Sequence, residues 1–520
     1  MTAITPPITQ PAKQERERPR LLLGGYAALA ESAWMGFALA SDVLESLRPA
    51  PAAMRQRLQV IIPRRPQLRL AGLLTREFTI AEASFILMAS FFFSAALGAV
   101  RQVLFNAQFG VGMEANAYYA AFRLPDTLFS LVAGGALSSA MIPVLLGVRR
   151  EEGEVAGWRL VSLVLTGLLA VFALLVLLVE LFTPAFVNNL LAPGFDQVTG
   201  DLTVTLTRIM LVQPLILAVG SVATAVLNSR NQFLLTSLSV VSHNVALITG
   251  ILAARLFPEL GIYGPTFGVM GGAVLQVLIL LPGLAGRDAR VRPIWNPADP
   301  RLREVVRLLI PNGLSVSVNY AGFIVDTAFA TKAPQQAGLA AIYNAFLLVG
   351  LPIALLGQAV GQATFPRLAT HAEAGDWRQM RRTLLQSLGA AIALALPAVA
   401  ALVLLGRPTI RILFEHGQFD AAAGDLTYNV LIAYAVALPA YVATEVITRG
   451  LIALRDTRTP LLTNTAQLIG RAVIISLLLS RFGVVAIPVA FAVTASLETL
   501  TLGTMLLLRL QRRISLKETS

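Results

Sequence analysis

Leu160-Val161-Ser162-Leu163-Val164-Leu165-Thr166-Gly167-Leu168-Leu169-Ala170-Val171-Phe172-Ala173-Leu174-Leu175-Val176-Leu177-Leu178-Val179 runs for twenty residues without a charge. A helix of that length rises ~30 Å, the hydrocarbon thickness of a bilayer. Backbone N–H and C=O groups find no water in lipid and must pair within the segment, so such a run is helical. Comparable runs recur at 80–106, 115–147, 157–182, 202–227, 233–256, 264–284, 303–331, 337–365, 381–405, 425–452, 460–480 and 484–508. They predict an all-α integral membrane protein with about twelve transmembrane helices. The short alternating segments of a membrane β-barrel are not the pattern seen.

Composition agrees. Of 520 residues, 56% are hydrophobic and 13% charged, about half the charged share of a soluble domain. The net charge of +12 belongs on cytoplasmic loops and tails and gives no reason to expect nucleic acid. There is no cysteine, and His243, His371 and His416 are scattered. No metal site, cofactor or catalytic residue is therefore expected. Without a P-loop, a Gly-x-Ser-x-Gly or a His-Glu-x-x-His, the chain reads as no enzyme. Its energy would come from the membrane potential or from a coupling cation such as Na+ or H+; the potential supplies about 2.3 kcal/mol per charge per 100 mV.

The chain divides into a basic cytoplasmic tail (1–78), an N-terminal lobe of six helices (79–286), a cytoplasmic linker (287–302), a C-terminal lobe of six helices (303–509) and a second basic tail (510–520). In the first tail, Leu21 to Leu47 reads as an amphipathic helix on the membrane surface or in the cytosol, because Glu31, Asp42 and Glu45 interrupt it. The start does not read as a signal peptide. Lys/Arg asymmetry places both termini in the cytoplasm. One set of loops carries Arg149, Arg150, Arg230, Arg287, Arg290, Arg292, Arg367, Arg378, Arg381, Arg382, Arg455 and Arg458, whereas 183–201 carries none.

The two halves repeat one another. Phe195-Asp196 before Gly200-Asp201-Leu202-Thr203 matches Phe419-Asp420 before Gly424-Asp425-Leu426-Thr427. Leu234-Leu235-Thr236 matches Leu461-Leu462-Thr463, Pro143 matches Pro366, and Trp158-Arg159 matches Trp377-Arg378. Six helices per half give both halves the same orientation, related by an axis along the membrane normal, with a binding site between them.

Several motifs carry a family resemblance. Leu97-Gly98-Ala99-Val100-Arg101, Phe109-Gly110, Ala117-Tyr118-Tyr119-Ala120-Ala121-Phe122-Arg123-Leu124-Pro125, Gly135-Ala136-Leu137-Ser138 and Pro143 resemble the opening of lipid II flippases of the MurJ/MviN type. Leu413-Phe414-Glu415-His416-Gly417-Gln418-Phe419-Asp420 and Ala453-Leu454-Arg455-Asp456-Thr457-Arg458-Thr459-Pro460 extend the resemblance into the second half. It implies a two-lobed transporter of the multidrug/oligosaccharidyl-lipid/polysaccharide superfamily in a bacterial plasma membrane. Such a protein would alternate access to move lipid II or a related polyprenyl-diphosphate-linked glycan, with lipid and cell-envelope synthesis proteins as partners. Ala95, Gln102, Asn116, Phe129 or Ser130, Gly134 and Leu347 stand where the family carries charges. An ion-coupled multidrug exporter and a non-transporting envelope scaffold are the alternative readings.

Ionisable groups inside spans are costly and mark function. Arg101, Asn116, Arg123, Asp126 and Asp326 are the candidates for the headgroup or cavity, with Arg123 and Asp126 close enough along the helix to pair. Asp326 is expected either to bind a cation or to meet an arginine across the cavity. Asp326, Glu445 and Glu498 are the ion-coupling candidates, with Glu445 spaced to pair with Arg449. Pro125, Pro214, Pro352 and Pro439 each remove a helix hydrogen bond within a span and are hinge candidates.

Overall fold

The computed structural model describes residues 76, 78–133, 136–284, 291–335 and 337–519. The Leu21–Leu47 helix and the first part of the linker lie outside them. The described residues form helices and no strand: α1 Ile80–Phe109, α2 Met113–Ala133, α3 Ala136–Phe186, α4 Gln197–Met210, α5 Gln213–Asn228, α6 Phe233–Leu256 and α7 Tyr263–Leu284 in the first half. The second half holds α8 Pro300–Lys332, α9 Gly338–Pro352, α10 Ala359–Glu373, α11 Trp377–Leu413, α12 Ala421–Ala453, α13 Arg458–Phe482 and α14 Ala486–Thr519.

Local sequence sets the helix starts. Thr79 and Glu82 form a capping box on α1, with Arg76 Nη2 2.8 Å from Glu82. Asp299 caps α8, where Pro300 occupies a first-turn position that needs no N–H. Asp376 accepts from Gln379 N at 3.1 Å, and Asp420 from Ala423 N at 2.8 Å. Each cap satisfies a backbone donor that the helix itself cannot.

Nine helical runs among the described residues are long and apolar enough to cross a membrane. Two of them, Leu137–Leu191 with 55 residues and Arg458–Leu516 with 59, exceed twice the ~20 residues of one crossing. The first is broken at Gly153, φ 86°, and the second at Gly483, φ 55°. α8, which is not among the nine, carries Arg301, Arg303, Glu304 and Arg307 in its first turns. Leu404, Leu405, Ile412, Leu477 and Leu500 are exposed on the outer face of the bundle. A surface this apolar suits lipid and not water.

Packing falls into two groups. In the first half α6 lies against α7 and α1, α3 against α5, and α2 against α4; in the second α12 is central, touching α9, α10, α11 and α14. In lipid, close backbone approach replaces hydrophobic driving force. The α6–α7 crossing shows this: a Cβ on Gly250 would lie 2.5 Å from Gly264 O. α8 joins the groups by packing on α2 and α3 as well as α13.

The largest buried cluster is shared by the two halves. Phe105, Tyr119, Met210 and Leu247 of the first half form one cluster with Leu339, Val349, Phe414 and Tyr434 of the second. A second cluster gathers Met141, Trp158, Phe172 and Val226 with Val305 of α8, and a third, around Leu368, Met380, Val446 and Leu506, belongs to the second half alone. The halves therefore meet at the end that carries the 192–196 and 415–420 loops. Several boundaries differ from expectation: 115–147 spans the end of α2 and the start of α3, 202–227 is broken between α4 and α5, and 337–365 is divided between α9 and α10. α8 starts at Pro300, ahead of 303, and α14 continues to Thr519 with no break at 510. Arg513, 4.5 Å over Trp377, keeps that last stretch against α11. The preceding linker strip is pinned to α3 by Arg292 N donating to Ser162 Oγ (3.2 Å) and Ile294 N to Thr166 Oγ1 (3.1 Å).

Candidate functional site between the halves

Four polar side chains lie at the core of the junction. Gln102 Nε2 is 2.6 Å from Tyr119 Oη, 2.9 Å from Asn344 Oδ1 and 3.0 Å from Asn106 Oδ1. Asn106 Nδ2 donates to Asn344 Oδ1 at 2.8 Å. Asn344 belongs to α9, so this buried network crosses between the halves. The sequence marks Gln102 only as standing where the family carries a charge, and Asn106 and Asn344 are not among the candidates. The signal available was an Asn or Gln within an apolar run, since an unpaired amide in hydrocarbon costs several kcal/mol.

Asn116 also crosses the junction. Its Oδ1 accepts from Ala340 N (3.0 Å), one of the orphan donors in the first turn of α9. Its Nδ2 donates to Val111 O and Gly112 O. At the loop end Gln418 N donates to Ala107 O at 2.9 Å, and Gly194 N lies 3.3 Å from Thr331 Oγ1. These contacts close that end.

Arg101 reaches Asn244 Oδ1 on α6 at 3.3 Å and lines a cavity of about 20 Å³ with Tyr118, Tyr119, Phe122 and Tyr343. That volume holds roughly one water. The Arg101 guanidinium thus faces the interior of the bundle, against an amide.

Arg123 and Asp126 form no ion pair among the described residues, contrary to the expected pairing. The Arg123 guanidinium lies instead 5.2 Å from the ring centroid of Phe323 and 5.5 Å from that of Tyr343. The aromatic faces of the second half hold it by cation–π attraction. Asp126 is half-buried on α2.

Asp326 pairs with Arg471 of α13, and both are buried. Of its two expected roles, the pairing with an arginine is the one seen. Glu445 and Arg449 lie 3.7 Å apart as their spacing predicts. Glu498 Oε1 lies 3.4 Å from Thr463 Oγ1. Among the described residues no group of His, Asp and Glu could hold a metal ion.

The prolines act differently from one another. Pro125 and Pro439 lie inside α2 and α12. Pro214, expected within a span, is a first-turn residue of α5, following a turn at Leu211-Val212. Pro352 ends α9 and is followed by a wider helical turn at Ile353–Gln358, because its missing N–H and its ring disturb the regular ladder.

Two helical groups meeting around a buried interior site, with apolar outer walls, define a helical membrane protein of the two-lobed exporter fold. Solved structures agree. An inward-facing multidrug resistance MATE family transporter of the MOP superfamily matches with TM-score 0.68 at 14% identity, over 81% of this chain and 96% of that one. Lipid II flippase MurJ in an inward closed conformation matches with TM-score 0.68 at 24% identity, over 80% of this chain and 86% of that one. An outward-facing MATE transporter reaches 0.55 at 15% identity, over 86% of this chain and 98% of that one.

The chain belongs to the lipid II flippase MurJ family, whose model matches residues 105–519. The lipid II flippase MurJ of Burkholderia cenocepacia is 30% identical over 373 residues, 71% of this chain and 72% of that protein. The probable lipid II flippase MurJ of Rhizobium meliloti is 27% identical over 374 residues, 71% of this chain and 70% of that protein. Members of this family are flippases, and hence transporters, not enzymes.

Proposed function

We propose that this protein moves lipid II, or a closely related polyprenyl-diphosphate glycan, across the inner membrane of a bacterium by alternating access. The observation that carries the reading is the family match through nearly all of both halves, joined to a core that both halves share around Phe105, Tyr119, Val349 and Tyr434. A diphosphate crosses hydrocarbon only where fixed charges and dipoles replace its water. Arg101 and Arg123 face the junction for that task, and Asn116 fixes its closed end.

In this reading the chain crosses the membrane twelve times, as six helices per half about an axis along the membrane normal. Both termini are cytoplasmic, by the Lys/Arg bias of the loops. The closed end is then periplasmic, and the cores around Met141 and Met380 lie toward the cytoplasm where the lipid-linked precursor is made. A coupling cation, Na+ or H+, would use Glu498 or Glu445 ahead of Asp326, whose charge Arg471 already balances. Pro125, Pro352 and Pro439 serve as the flexible points of the rocking motion, and the turn before Pro214 as a fourth. Envelope-synthesis proteins are the proposed partners.

The test is lipid II exposure on the outer face of a bacterium depleted of its own flippase and expressing this chain. Restored exposure supports the reading. A properly inserted protein that restores none overturns it.

A further inference from the structure

Arg123 stands apart from the other interior arginines. Arg471 pairs with Asp326, Arg449 with Glu445, and Arg101 reaches the Asn244 amide oxygen. Among the described residues the Arg123 side chain makes no hydrogen bond or ion pair, and its buried Nε has no partner. Asp126, on the same helix, lies beyond ion-pair distance. The charge of Arg123 rests on two rings, Phe323 of α8 and Tyr343 of α9. Arg123 is on a helix of the first half, and both rings belong to the second.

A ring face attracts a guanidinium without using its N–H donors. Phosphate oxygens engage those donors two at a time in short charge-assisted bonds, a stronger hold than a ring face. An anion entering the junction therefore takes Arg123 from the rings. We propose that Arg123 is a diphosphate ligand held in reserve on Phe323 and Tyr343, and that its withdrawal onto the anion removes a contact between the halves. Binding and loosening of the junction are then one event. A ligand shifts a conformational equilibrium only by its differential affinity for the two states, and here the perch supplies the difference. A neutral polyprenol, having no claim on Arg123, leaves the halves together. This inference rests on the flippase reading above and assigns one residue of the first half and two of the second to its substrate step.

The test uses purified full-length protein. The chain has no cysteine of its own. Val198→Cys at the start of α4 and Ile412→Cys at the end of α11, both exposed, carry spin labels that report the separation of the halves. The protein is titrated with undecaprenyl diphosphate and with undecaprenol. The diphosphate is expected to shift the distance distribution and the alcohol to leave it unchanged. Arg123→Gln should weaken diphosphate binding at least tenfold and abolish the shift, while Arg123→Lys keeps part of the affinity. Phe323→Leu, which leaves Arg123 a single ring, should tighten binding severalfold and widen the distance before any ligand is added. A purely structural role for Arg123 predicts the opposite, because losing the ring would then only weaken the fold.

Unchanged affinity in Arg123→Gln, or a Phe323→Leu protein with wild-type affinity and distance, overturns the proposal. Wild-type protein that neither binds the diphosphate nor exposes lipid II defeats the flippase reading itself. Wild-type protein that does both, beside an Arg123→Gln variant that does so equally well, defeats only the inference about Arg123.

Discussion

Asp326 of α8 and Arg471 of α13 form an ion pair with side-chain exposures of only 6% and 9%, and the guanidinium lies 4.9 Å over the Phe491 ring. Breaking a buried pair from one side strands a charge, at a cost of about 3–5 kcal/mol. Asp326→Asn should therefore lower the thermal unfolding midpoint of the detergent-purified protein sharply. Replacing both partners by apolar residues, Asp326→Leu with Arg471→Met, should recover most of the loss, since well-packed apolar substitutes for a buried pair are often neutral. A single variant as stable as wild type would falsify the pair's burial.

The amide network at the junction gives a conformational prediction. Asn344→Leu removes the acceptor shared by Gln102 and Asn106; Gln102 keeps Tyr119 and Asn106 as acceptors, but the buried Asn106 amide loses its own, at about 1–3 kcal/mol. The penalty falls on the state in which the halves touch. The labelled Val198→Cys/Ile412→Cys protein should therefore show a larger separated population when Asn344→Leu is added. An unchanged distribution would mean that the network does not hold the junction closed.

Two glycines at the closed end admit no side chain. A Cβ on Gly194 would strike the Thr331 backbone, and one on Gly417, where φ is +62°, the carbonyl of Ala107. The contacts are backbone, so no rotamer change relieves them. Gly194→Ala should hold the halves apart at that end. The expected readouts are loss of lipid II exposure in cells and a widened label distance. Full transport by this variant would show that the end need not close.

Asp456, in the turn between α12 and α13, gives a pH prediction. Partial burial pushes its carboxyl up, but the Thr459 hydroxyl and the Arg509 guanidinium outweigh this and hold it down at about 2. A depressed carboxylate stabilises the fold fully above its unfolded value of ~4, and the contribution fades as pH falls toward 2. Asp456→Asn should thus lower stability by about 1–2 kcal/mol at neutral pH. The gap to wild type should narrow as pH falls from 4 to 2, measured by thermal unfolding. A gap independent of pH would place the effect in packing, not in charge.

Much of this protein was legible in one dimension. Runs such as Leu160 to Val179 dictate helices because lipid offers the backbone no partner. The Phe-Asp pairs of the two halves match in sequence, and both aspartates sit at helix starts, Asp196 before α4 and Asp420 before α12. The i,i+4 spacing of Glu445 and Arg449 foretold their pair because one helix fixes it.

Partners on different helices needed the tertiary structure. Periodicity along one helix says which residues share a face but not which neighbour that face meets. So Asp326 could be singled out but not joined to Arg471, 145 positions further on. Arg123 and Asp126 looked like a pair until the fold set Phe323 and Tyr343 beside the guanidinium. The Gln102, Asn106, Tyr119 and Asn344 network exists only where α1, α2 and α9 come together. Sequence determined the long apolar helices, through solvation and chain geometry. The choice of partner for each buried polar group was decided by three-dimensional packing.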